Sequence, residues 1–134
     1  MRPFEETVAA ELTLLLRAGA PRRAVHLTVR ELVVGRMERG PLGAREVRDA
    51  VEEAVRAACR LVRQLGASDE LVEVVCLSAL EAVRGHGGET ARWLGEATVT
   101  AYAVLEELTL EQGEGVQYVP MPYRTPQGRP SADG

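Results

Sequence analysis

Lysine is missing from this chain: all sixteen of its basic residues are arginine. A compositional bias of the source genome explains that more simply than an arginine-specific function. Aromatic residues are only 4% of the chain, and none lies between Arg17 and Arg48, so the most basic segment lacks a platform for stacking bases. No apolar run approaches the roughly 20 residues that a membrane span needs, so no membrane association is expected. The opening Met1-Arg-Pro-Phe-Glu-Glu6 puts two acids where a signal peptide carries its apolar core, so export is not expected. The two cysteines, Cys59 and Cys76, lie inside helical patterns rather than in a framework of loops, a usage that suits a reducing cytoplasm. Neither Glu-x-x-His nor His-Glu-x-x-His occurs, so the helical di-iron and zinc-protease arrangements find no support, and no metal or cofactor is expected.

What is present is ordinary globular material. A chain of 134 residues, 46% apolar and 27% charged, fits one domain with a sizeable core. The net charge of −4 is uneven. Between Arg17 and Arg48, eight arginines stand against Glu31, Glu38 and Glu46, a local +5 that leaves −9 for the remainder. Such asymmetry marks a surface for an acidic partner or nucleic acid, or the means by which one subunit meets the acidic half of another.

Periodicity predicts helices throughout residues 1–112. Residues 3–18 begin with Pro3 at the first helical position and acids Glu5 and Glu6 in the first turn, and stop at Gly19 and Pro21. Residues 21–39 are ambiguous. Val25-His-Leu-Thr-Val-Arg30 alternates like a strand, but Val25, Val29, Leu32 and Val33 share one helix face, and a lone strand would leave its edges unpaired. Helix is the expectation. Residues 43–65 carry a 4-3-4-3-4 seam of Val47, Val51, Ala54, Ala58, Leu61 and Leu65, flanked by Val55, Cys59 and Val62. Gly66-Ala-Ser68 then forms a tight turn with Ser68 as N-cap. Residues 70–84 are apolar around most of the helix and read as the central rod of the bundle, with Glu70, Glu73, Glu81 and Arg84 as its one polar stripe. After Gly85-His-Gly-Gly88, a last helix over roughly 89–111 turns Trp93, Leu94, Ala97, Ala101, Val104, Leu105 and Leu108 inward. The fold expected is therefore all-α: a four- to five-helix antiparallel bundle over residues 1–112 with an extended Pro-rich C-terminal tail over 113–134. In that tail Pro120 and Pro122 hold the chain extended, and Tyr118, Val119, Met121 and Tyr123 predict that 116–124 packs on the bundle or on a neighbouring subunit.

Chemistry has few candidates. An antiparallel hairpin about Ala67 would bring Cys59 level with Cys76, which permits a thiol pair, but two free core thiols are the favoured reading because the C-x-x-C spacing is missing. Glu73, with Leu71, Val72, Val74 and Val75 around it, would become an acid or base if buried. The competing reading keeps the whole polar stripe solvated and paired with arginine from the next helix. His86 in its glycine turn could help hold an anion, but a helix–helix connection needs such glycines anyway. Arg22, Arg23, Arg30, Arg36 and Arg39 could contact phosphates or a partner, yet the helix after Gly40-Pro41 begins acidic and is a poor groove reader.

No nucleophile set can be argued from spacing, so the chain reads as non-enzymatic. The function expected is a cytoplasmic homo-oligomeric interaction or scaffold module, most simply a dimer, because apolar circumference on several helices exceeds what a small bundle covers. A small-molecule or metal-binding helical protein, with a site between helices and room for an enzymatic role, is the alternative. Nucleic-acid binding through the 17–48 face is the third.

Overall fold

A computed structural model of the chain describes residues 2–39, 43–86 and 92–112, with backbone alone for 108–112. Among these residues lie five α-helices and no strand: α1 Pro3–Arg17, α2 Arg22–Met37, α3 Ala44–Leu65, α4 Asp69–His86 and α5 Leu94–Gln112. None is long and apolar enough to cross a membrane. The tail segment 116–124 lies outside the described residues.

The ambiguous segment is a helix for a reason visible in its burial. Val25, Val29, Val33 and Met37 recur every fourth residue and are all buried, so a single stripe docks the whole element. A strand would have put Leu27 on the same face as Val25 and Val29; instead Leu27 is 42% exposed. The stops also follow local chemistry. After α1, Gly19 takes φ 68°, its N–H bonds the carbonyl of Leu16, and the N–H of Ala20 reaches back to Leu15. This paired closure satisfies carbonyls that the helix end would otherwise orphan. Gly66 closes α3 at φ 69° with a bond to Val62. Two residues on, the Ser68 hydroxyl accepts the N–H of Glu70 at 3.1 Å and opens α4.

Ion pairs give the sense in which the helices run. Arg48 meets Glu96 and Arg56 meets Glu107, so α3 and α5 climb together. Arg2 meets Glu53 and Glu5 meets Arg60, which aligns α1 with α3. Arg22–Glu70, His26–Glu81 and Glu38–His86 align α2 with α4. Helices α1, α3 and α5 thus share one direction and α2 and α4 another; the three-residue turn between α3 and α4, which pack together, sets the two groups antiparallel.

The centre of the bundle is α3 rather than α4. Residues 70–84 are enclosed on most sides, but α3 is the helix with substantial contact to all four others. Its Ala50, Ala54, Ala57 and Ala58 are fully buried on neighbouring faces. Side chains this small let partners approach from several directions, whereas bulky apolar residues would have held them off. Large apolar side chains left exposed are Leu14, Leu27, Leu65 and Val99. They lie on four different helices.

Candidate functional site

Among the described residues, one face of α4 is only partly covered. Val74, Leu77 and Leu80 lie between the first turns of α2 and of α5, and with Leu94 they floor an open groove of ≈ 880 Å³. From α2, Arg22, Arg23 and His26 line it, and Arg84 stands near the end of α4. Thr98 and Glu81 complete the lining. The Thr98 hydroxyl donates to the Leu94 carbonyl at 2.9 Å and is thereby used within its own helix. Among the described residues the lining therefore joins four apolar side chains with three arginines, a histidine and a single carboxylate.

That carboxylate is surrounded. Glu81 Oε1 lies 2.7 Å from His26 Nε2 and 3.9 Å from the Arg30 guanidinium, and Oε2 lies 3.4 Å from Arg84. On its other side the His26 ring meets Ser78: Nδ1 stands 2.8 Å from Oγ, which is itself 2.6 Å from the Val74 carbonyl oxygen. One hydroxyl proton serves two acceptors. When Ser78 donates to Val74, it accepts from Nδ1–H, and a doubly protonated ring donates to Ser78 and Glu81 together. With one proton fewer on the ring, Nε2–H still donates to Glu81, and the Ser78 proton turns to Nδ1.

Serine, histidine and carboxylate in a row have the composition of a hydrolytic nucleophile set. Access decides against that reading. Ser78 is 0% exposed and its hydroxyl is held between a backbone carbonyl and the inner nitrogen of the ring. A reacting carbonyl must come within about 3 Å of the nucleophile, and here protein fills the approach. The row ties α2 to α4 and orients His26 toward the groove.

The residues singled out from sequence separate. Arg22 and Arg23 line the groove, and Arg30 reaches it through Glu81. Arg22 is also bonded to Glu70 at 2.6 Å. Arg36 lies in the last turn of α2 and Arg39 just beyond it, on no groove wall, and neither makes an ion pair among the described residues. The basic segment is thus partly neutralised by the acids of α4 and α5, since Arg48 too is paired, with Glu96. Glu73 is half-buried but does not line the groove; it lies near enough to Cys76 for its charge to help keep that thiol protonated. His86 pairs with Glu38 at 3.5 Å, away from the groove lining. The rest of its glycine turn lies outside the described residues.

Cys59 and Cys76 come near one another as free thiols. Burial pushes Cys59 up to about 12 against the pull of Arg63 and Arg56. Burial likewise pushes Cys76 up to about 12, with Cys59 and Glu73 adding to it. Neither is a thiolate near neutral pH, so neither has a reactive cysteine's character. Among the described residues no three His, Cys, Asp or Glu side chains converge as a metal site.

Sequence reasoning passed over Ser78 and His26. The one signal for Ser78 was a lone hydroxyl within the apolar surface of α4, which needs a partner if buried. His26 could not be assigned as that partner without knowing that α2 lies alongside α4. Known protein families, curated proteins and solved structures were each compared with this chain, and none matches it.

Proposed function

We propose that this protein is a non-enzymatic binding module that seats a helical segment of a partner protein in the α2–α4–α5 groove. The observation that carries the reading is the pair of half-buried leucines, Leu77 and Leu80, that α4 presents to the groove beside buried Val74. Val74, Leu77 and Leu80 follow helical spacing and lie between two flanking helices, leaving a slot of the kind an amphipathic helix fills with its own apolar stripe. A closed pocket would favour a small molecule, which needs most of its surface buried; this one opens to solvent.

The test uses an 18-residue amphipathic peptide with a leucine stripe and a glutamine-rich opposite face, titrated into isotope-labelled protein. Chemical-shift changes confined to Leu77, Leu80, Leu94 and Thr98 support the reading. Leu80→Glu should abolish them while leaving the circular dichroism of the bundle intact. Shifts scattered over the surface, or none at millimolar peptide, overturn it.

Homo-oligomer formation, expected from sequence, becomes part of the same question. Light scattering at micromolar concentration gives the subunit count. A dimer that Leu80→Glu converts to monomer would place a second copy in the groove and displace the proposed partner; a monomer leaves the groove to a different chain.

A further inference from the structure

Resting on that reading of the groove, the geometry points to the chemistry of the segment it takes: we infer that the partner is acidic along one flank, and that Glu81 is an internal carboxylate occupying the seat of a partner's acid. Three features lead here. Arg22 and Arg23 stand on the α2 wall and Arg84 near the end of α4, so cations border the apolar floor on more than one side. Among the described lining residues Glu81 is the one acid. And Glu81 is placed against His26, Arg30 and Arg84 together, at 2.7, 3.9 and 3.4 Å.

More positive charge gathers at this point than one carboxylate neutralises. Arg23 has no ion pair among the described residues, although it lines the groove. Glu81 itself is 37% exposed, and an exposed ion pair of this kind is worth little. A carboxylate arriving on an apolar stripe can therefore replace it at small cost, releasing Glu81 to solvent while His26, Arg30 and Arg84 turn to the newcomer. Arg23 remains for an acid further along the segment, while Arg22 is held by Glu70 at 2.6 Å. Complementarity of this type contributes chiefly to specificity and to the speed of association, so the arrangement selects acidic helices over neutral ones of equal apolarity.

The experiment compares two peptides that share the leucine stripe. One carries glutamate along the flank and the other glutamine. At low salt the glutamate peptide should bind about ten-fold tighter, and the advantage should shrink between 50 and 500 mM salt, roughly the range over which screening of exposed charges becomes strong. Glu81→Gln and Glu81→Ala should each strengthen binding of the glutamate peptide by about three-fold, the scale of one exposed charge contact. Glu38→Gln, which removes the same charge beside His86 and away from the groove, should leave it unchanged. Arg23→Gln should weaken it. If both peptides bind equally, the acidic partner is wrong while the binding module stands; if neither binds, the module itself fails. Equal gains from Glu81→Gln and Glu38→Gln would reduce Glu81 to a general charge effect and overturn its role. A ten-nucleotide single strand binding in the groove more tightly than the glutamate peptide would overturn the partner class in favour of nucleic acid.

Discussion

Arg60 of α3 donates a 2.8 Å hydrogen bond to Glu5 of α1, and it does so where the Glu5 side chain is only 9% exposed. Glu53 of α3 is buried in the same way, its carboxylate meeting Arg2 at 3.1 Å. The first helix is thus fixed to the central one by two carboxylates that could not be left alone. A buried ion pair need not stabilise relative to apolar residues of the same size, but stripping one partner strands a charge. Arg60→Met should therefore cost about 3 kcal/mol in urea unfolding, while Glu5→Leu added to it should recover most of the loss. A double variant as unstable as the single one would show that the pair does more than neutralise itself.

Two glycines separate backbone strain from helix propensity. Gly66 holds φ 69°, and a Cβ there would meet nothing within 4 Å. Gly66→Ala therefore pays only for the left-handed conformation, and should lower stability by about 1 kcal/mol. Gly35 lies within α2, again with nothing within 4 Å of a Cβ and no positive φ. Gly35→Ala should raise stability by about 0.5–1 kcal/mol, since alanine loses less backbone freedom on folding. Thermal unfolding of the two variants should shift in opposite directions, and shifts of the same sign would contradict the helix-end geometry at Gly66.

The stop at Gly66 could be read in the sequence, as could most of the elements. Gly19 and Gly66 mark stops because apolar periodicity ends beside them, and Ser68 announces α4 because acids follow it. The strand-like alternation around Val25 misled only locally; over the longer run Val25, Val29, Val33 and Met37 decide the matter. Position in the bundle was harder. The apolar circumference of residues 70–84 suggested the centre, yet the alanines of α3 occupy it, because a central helix is selected for close approach as much as for apolarity. The site was least legible. Glu81 and Arg84 belonged to the stripe singled out along α4, but Ser78 and His26 join it through the pairing of α2 with α4, a tertiary fact that spacing within one helix does not contain. Glu53 left a trace: it shares its face of α3 with Ala50, Ala54 and Ala57, where an acid must find a cation.

The thiols give the protein a pH dependence in the alkaline range. Both Cys59 and Cys76 are held near 12, against an ordinary value of 9.0 that applies once the chain unfolds. Below pH 9 both states keep the thiols protonated, and the thiols make stability independent of pH. Between about 9 and 12 the unfolded chain loses protons that the folded one retains, so the unfolded state is favoured increasingly as pH rises. The urea midpoint should fall across that window, with a proton difference approaching about one per thiol. Cys59→Ala with Cys76→Ala should flatten the fall. At pH 8 a thiol reagent should label the native protein slowly and the denatured protein at once; rapid native labelling of Cys76 would contradict its burial.

The Ser78–His26 contact makes a sharper demand, because its two members are bonded to each other and each has a second partner. Ser78→Ala removes the hydroxyl shared by Val74 and His26, and should cost about 1 kcal/mol, the ordinary scale for one internal hydrogen bond. His26→Ala leaves Ser78 satisfied by Val74 and Glu81 beside Arg30 and Arg84, so it too should cost about 1 kcal/mol. If the contact joins α2 to α4 as the distances indicate, the double variant should lose less than the two single losses combined, by about 0.5–1 kcal/mol. Strict additivity across the four proteins in urea would mean that the 2.8 Å separation contributes nothing. A fluorophosphonate that labels activated serines should leave native Ser78 untouched, because the same enclosure that makes its hydrogen bonds worth measuring also denies a reagent the approach to Oγ.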